Sequence, residues 1–198
     1  MRTRLPGGRG RREGGVRERV YLWWIGAGPP EASMEAARSR LEEVFGMPVV
    51  REARPGRPLD AWDPRRGQVL SGRLLSWLAN QAPPDAARVV GVTDEDLFIP
   101  VLTFVFGEAQ LAGKAAVVSV ARLRPDAGAP EPARLLSARL QTECVHELGH
   151  TWGLVHCDRT RCAMSRSVSV VQVDLKSPGL CEDCRVRLAD ARGGGGTA

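Results

Sequence analysis

The sequence predicts an α/β fold: a twisted, mostly parallel five-stranded sheet with one antiparallel edge strand, a long helix, and a small cysteine-rich unit at the C-terminal end. Three observations carry this. Short apolar runs alternate with segments of helical periodicity, the order expected when helices join the strands of a parallel sheet. The extended segments 98–106 and 114–123 are joined by a short link containing Gly107 and Gly113, which permits an antiparallel hairpin but no parallel crossover. Cys157, Cys162, Cys181 and Cys184 fall in a stretch whose only sizeable apolar run is 168–173, so that stretch needs a staple to hold its shape.

The elements follow in order. Val20-Tyr21-Leu22-Trp23-Trp24-Ile25 is an apolar run ending at Gly26 and reads as a buried strand. Met34, Ala37, Leu41, Val44 and Phe45 recur at helical spacing between Glu31 and Phe45, and Gly46 is a natural stop. Pro48 to Arg51 is a second short strand, and 54–67 reads as a loop of Pro, Gly and Arg. Val69 to Leu78 is a second amphipathic helix through Leu70, Leu74, Leu75 and Leu78. Arg88 to Thr93 is a third strand. Phe98 to Phe106 is a fourth, and its Pro100 suits an edge or an entry position. Lys114 to Leu123 is the fifth. The long helix spans about Ala133 to Trp152, with Leu136, Leu140, Cys144 and Leu148 at i, i+4 as its buried stripe.

A chain of 198 residues is one domain, or one domain with a small appendage. Its net charge of +5 comes from one place, because residues 1–19 hold seven arginines against two glutamates. The rest is neutral, which argues against a folded nucleic-acid-binding face. The boundaries expected are a disordered basic tail at 1–19, an α/β unit at 20–153, a C-terminal unit at 154–191 and a Gly-rich tail at 192–198. The basic start is followed by no apolar stretch of signal-peptide length, and no run approaches a membrane span. A cytoplasmic protein with no membrane partner is expected, and in that compartment five cysteines are not read as disulfides. Only Lys114 and Lys176 among the 28 basic residues are lysine, a bias from which no function is drawn.

All three histidines of the chain lie in His146-Glu147-Leu148-Gly149-His150-Thr151-Trp152-Gly153-Leu154-Val155-His156, which reads H-E-x-x-H-x-x-G-x-x-H. On a helix His146 and His150 share a face and can aim at one metal, with Glu147 beside them and free to act on a water. Gly153 can take a positive φ that ends the helix and turns the chain, returning His156 as a third ligand. Three protein ligands leave an open position, the mark of a catalytic zinc. A lone H-E-x-x-H occurs by chance on ordinary helices. The third His behind a turn glycine is much harder to reach by accident.

Cys157, Cys162, Cys181 and Cys184 form C-x4-C and C-x-x-C pairs that can close around a second, structural zinc. A redox C-x-x-C and two disulfides are the competing readings. His156 and Cys157 are neighbours that would serve different metals, so their side chains must point opposite ways. Cys144, on the apolar stripe, reads as a packed core thiol.

The zinc helix followed by Cys157, Cys162-Ala163-Met164 and Cys181-Glu182-Asp183-Cys184 resembles the archaemetzincins. Gly91-Val92-Thr93-Asp94-Glu95-Asp96-Leu97-Phe98 and Phe104-Val105-Phe106-Gly107-Glu108-Ala109 also resemble that family, and Asp63-Pro64-Arg65-Arg66-Gly67-Gln68 does so more loosely. The resemblance covers about residues 20–190. It implies a metzincin-like sheet and a methionine turn in which Met164 floors the zinc histidines. No tyrosine follows Met164, so oxyanion stabilisation falls to backbone N–H groups, to zinc, or to an arginine such as Arg166.

The function expected is that of a zinc metallopeptidase, aminopeptidase or endopeptidase, in which a zinc-activated water attacks the peptide bond and Glu147 is the general base. Two zinc ions per chain and a peptide or protein substrate follow. Phe106, Gly107, Glu108 and Ala109 are candidate substrate-binding residues on an edge strand that an extended peptide can join. The alternative is a zinc-stabilised peptide- or protein-binding module with weak or no turnover. The carboxylate of Glu147 argues against it, since zinc binding alone does not require one there.

Overall fold

The structure, a computed structural model, describes residues 18–26, 28, 31–54 and 56–193. The expected tails lie outside these residues, except for Glu18 and Arg19 at one end, where Arg19 opens the first strand, and Arg192 and Gly193 at the other, which belong to the last helix. In chain order the elements are β1 (Arg19–Ile25), α1 (Glu31–Phe45), β2 (Val49–Arg54), a 3-10 turn (Leu59–Ala61), β3 (Trp62–Asp63), β4 (Gln68–Leu70) and α2 (Ser71–Gln81). Then come β5 (Ala86–Thr93), β6 (Leu97–Phe98), β7 (Gly107–Ala109), β8 (Ala115–Ser119), α3 (Pro132–Thr151), α4 (Val170–Asp174) and α5 (Glu182–Gly193).

The main sheet has the order β2-β1-β5-β8-β7. Its first four strands are parallel, and β7 runs antiparallel to β8 at the edge, as the short link requires. β1, β5 and β8 are near-continuous apolar runs because helices cover both faces. One core lies between the sheet and helices α1 and α3, through Leu22, Leu41, Val92, Val118, Leu140 and Leu148. The second lies on the α2 face, through Trp23, Leu74, Leu78, Val89 and Val117.

The chain departs from its sequence reading in four places. Residues 98–106 are not one strand. Leu97–Phe98 forms β6, residues around Pro100 turn outward with Val101 84% exposed, and the edge strand is the three residues Gly107–Ala109. The stretch Val69 to Leu78 is not all helix, because Val69 and Leu70 belong to β4 and α2 starts at Ser71. Strands β3, β4 and β6 pair as a second small sheet, of which β3 lies in the stretch 54–67 that reads as a loop. The C-terminal stretch is better buried than its composition suggests: Leu154, Met164, Val173, Leu180 and Leu188 join the core against α3. It has no separate core, and α5 continues to Gly193, beyond the expected boundary at 191.

Two ion pairs bind this stretch to α3. Arg139 grips Asp174 through two bonds of 2.7 Å and also donates to Leu123 O at 2.9 Å. One turn further on, Glu143 meets Lys176 at 3.4 Å, with side chains 3% and 1% exposed. Positions 139 and 143 share a helix face, so the clamp is two opposite charges on α3 matched by Asp174 at the end of α4 and Lys176 just after it. Arg139→Met should strand a partly buried carboxylate and a carbonyl, and cost about 1–3 kcal/mol. Urea unfolding measures it, and a midpoint unchanged from wild type would show that the pair holds nothing.

Candidate active site and metal centres

Helix α3 ends where the motif predicts. Gly153 has φ +85°, Leu154 N–H donates to Gly149 O and Gly153 N–H to His150 O. These are the paired bonds of a Schellman end, which reverse the chain beneath the helix. That reversal brings two carbonyls to the histidines. His146 Nδ1 lies 2.7 Å from Ala163 O, and His150 Nδ1 lies 2.7 Å from Leu154 O. A carbonyl only accepts, so both Nδ1 atoms carry the proton and both Nε2 atoms present lone pairs. Those two Nε2 atoms are 3.1 Å apart.

Two facing lone pairs at that distance repel unless a cation lies between them. The edge of a tetrahedron with Zn–N of ~2.0–2.1 Å is ~3.3–3.4 Å, close to what is observed. One ring nitrogen of His156 joins the group, all three within 4.8 Å of one another. Burial pulls the pKa of each imidazole down, helped at His156 by the Arg166 guanidinium. The rings are thus neutral, as metal ligands must be. The donor set fits zinc.

Met164 is fully buried directly under the helix. A Cβ at Gly149 would lie 2.5 Å from its Sδ, so only glycine allows the floor to rise this close between His146 and His150. Glu147 is pressed from the other side. A Cβ at Gly107 would lie 2.6 Å from Glu147 Cγ and 2.7 Å from Val117 O. Burial, then the Glu143 carboxylate, pushes Glu147 well above the usual carboxylate range, while Lys176 opposes the shift.

The four cysteines form the second cluster, each Sγ within 4.8 Å of the others. Cys157 Sγ and Cys181 Sγ are 3.8 Å apart and Cys181 N–H donates to Cys162 Sγ at 3.3 Å. A disulfide needs ~2.05 Å. A tetrahedral site with Zn–S of ~2.3 Å has edges of ~3.8 Å. The thiols are free, and the fit is to a tetrathiolate metal. Cys144 stands apart, buried, with its thiol pushed up by burial and by Glu143 and Glu147.

Residues 85–190 match the family described as peptidase family M54. The chain belongs to that family. The archaemetzincin of Methanocaldococcus jannaschii is 41% identical over 154 residues, 77% of this chain and 83% of that protein. That of Methanopyrus kandleri is 44% identical over 144 residues, 73% and 79% of the two chains. The crystal structure of the M. kandleri protein matches with a TM-score of 0.80 at 34% identity, over 92% of this chain and 99% of that one. A structure from Archaeoglobus fulgidus, complexed with malonate, gives 0.72 at 31% identity, over 85% and 99%. The chain is a zinc metallopeptidase with the archaemetzincin fold.

In this M54 peptidase the histidines open onto a cleft of about 630 Å³. One wall is the edge segment through Phe104, Phe106 and β7. All four edge candidates line it, but not alike. Antiparallel pairing to β8 leaves the N–H and C=O of Gly107 and Ala109 turned outward. Phe106 packs into the α3-side core. The Glu108 carboxylate turns to the opposite face, where Ser71 Oγ donates to it at 2.5 Å, and its N–H and C=O face Val117 of β8, so Glu108 offers the cleft neither its charge nor its backbone hydrogen bonds. The other wall carries Arg166, Val168 and Lys176. Reading along the chain missed Glu143 and Lys176. Two signals pointed to them: a carboxylate one turn before Glu147, and a lysine in a chain that uses arginine at every other basic position but Lys114. No helix among the described residues is long and apolar enough to cross a membrane.

The Gly107 contact is testable. Gly107→Ala should push the Glu147 side chain away from its place, and a displacement of about 1 Å can cost ~10²-fold in turnover. Zinc content should stay at the wild-type level. Full activity in a protein that binds zinc normally would show that the edge strand does not set Glu147.

Proposed function

We propose that this peptidase hydrolyses peptide bonds in the cleft with Glu147 as general base, and that it holds two zinc ions, one on His146, His150 and His156 and one on Cys157, Cys162, Cys181 and Cys184. The observation that carries the reading is the pair of Nε2 atoms 3.1 Å apart, both aimed by main-chain carbonyls, with the Glu147 carboxylate beside them. When bound, the histidine-held zinc supplies Lewis acidity to a water and to a peptide carbonyl. Glu147 is not needed to bind that metal. Its raised affinity for a proton suits it to take one from a water and pass it to the leaving amine. The outward backbone groups of Gly107 and Ala109 can pair an extended substrate as an added strand. Met164 and Gly149 keep the two imidazoles level, and the cysteine unit anchors the loop segment that carries His156 next to Cys157.

Glu147→Ala should keep both metals and lose about 10²–10⁴-fold in peptide hydrolysis. Loss of the metal in that variant would make Glu147 a ligand or a support. Retained hydrolysis would remove it as the base.

Metal content separates the two sites. Elemental analysis should give two zinc ions per chain. Brief chelation should remove the one on the open histidine site first, with the fold intact. Cys181→Ser should lose the other together with solubility, because ligand binding and folding are linked there. A stoichiometry near one in gently purified protein would eliminate one site.

A further inference from the structure

The cleft contains two cations: Arg166, a candidate for stabilising the oxyanion, and Lys176, to which the hydrolytic reading gives no task. Lys176 lines its inner end with a side chain only 1% exposed. An ammonium has three donor protons. Among the described residues one acceptor reaches this one, Glu143 Oε1, at the long distance of 3.4 Å. Buried donors are ordinarily satisfied, and charged ones most of all. Arg166 lies exposed on the same wall, lining the cleft together with His156, and has no carboxylate partner among the described residues. Val155 and Val168, both more than half exposed, line the same cleft.

We propose that Lys176 and Arg166 select a carboxylate on the peptide substrate, either an acidic side chain or a free C-terminus close to the scissile bond. The inference rests on the peptidase reading and adds a substrate class to it. Glu143 acts as the resident counter-ion of Lys176. It uses one donor at long range and leaves the others for a ligand. An incoming carboxylate completes the ammonium's hydrogen bonds in a site where water is scarce, which is where charge-assisted bonds are strongest. Glu143 and Glu147 oppose it, but they are balanced by Lys176 and Arg166, and a divalent cation on the histidines tips the cleft positive. A neutral side chain leaves Lys176 short of acceptors. A basic one meets two like charges. The aliphatic residues on this side favour an apolar stem leading to the acid, as in glutamate.

The test uses binding, so it does not depend on turnover. Zinc-loaded Glu147→Gln protein is titrated with fluorescent hexapeptides blocked at both ends, in which one residue is Glu, Gln or Lys at each position in turn. A Gln set with a free C-terminal carboxylate separates the two sources. A Glu peptide, or the free-carboxylate set, should bind about tenfold more tightly than its blocked Gln partner, as one charge-assisted hydrogen bond provides. Added salt should erode that preference. Arg166→Gln, at an exposed position, should shrink it. The double change Glu143→Gln with Lys176→Met should abolish it, and this variant leaves no buried charge unpaired if Lys176→Met alone fails to fold. Equal affinity for all sets, or no binding of any, overturns the proposal. So does a preference that survives the double change. Wild-type hydrolysis of the same blocked peptides is measured in parallel. Equal cleavage of the Glu and Gln sets would leave the peptidase reading standing while this one falls.

Discussion

Two hydrogen bonds from imidazole nitrogens to main-chain carbonyls govern this molecule. His146 Nδ1 is bonded to Ala163 O, and His150 Nδ1 to Leu154 O. Each fixes a tautomer, and together they turn two lone pairs toward one point. Neither acceptor is on the helix that carries the histidines. Leu154 comes just after the chain reversal at Gly153, and Ala163 belongs to the turn that also holds Met164. The metal centre therefore exists only when the C-terminal stretch is folded back under α3. Much of what looks peripheral serves that condition: the glycine at 149 that admits Met164, the cysteine cluster, and the burial of Leu180 and Leu188 in the main core.

The same helix face bears a cost in charge. Arg139, Glu143 and Glu147 are all buried, a combination that burial alone would make strongly unfavourable. Each is answered differently. Arg139 has a bidentate partner and a carbonyl. Glu143 has one lysine at 3.4 Å, and burial still pushes its pKa up. Glu147 has no hydrogen-bond donor among the described residues and is held by packing against Gly107. Satisfaction declines along the helix toward the metal. Fully paired groups hold the fold, and the least paired one lies beside the histidines.

The edge strand shows how local chemistry and tertiary placement divide. A short link joining two extended segments requires an antiparallel pair, and one is found. It is three residues long because Pro100 and the turns after it break the preceding segment. Which face each residue shows is then fixed by alternation against β8. Gly107 must abut the helix, and Glu108 must face Ser71.

The sequence by itself determined the motifs whose spacing is short. A helix places i and i+4 together whatever the rest of the chain does, so His146, Glu147 and His150 were legible, and the turn at Gly153 returned His156. Local pattern also sufficed for the parallel strands, since apolar runs between helices have few other uses. The tertiary structure alone decided contacts between residues far apart in the chain. Lys176 against Glu143, Asp174 against Arg139 and Gly107 against Glu147 span 33, 35 and 40 positions, and no periodicity links their members. The small sheet of β3, β4 and β6 was hidden for the same reason, because two- and three-residue strands carry too little pattern to be seen until their partners are in place.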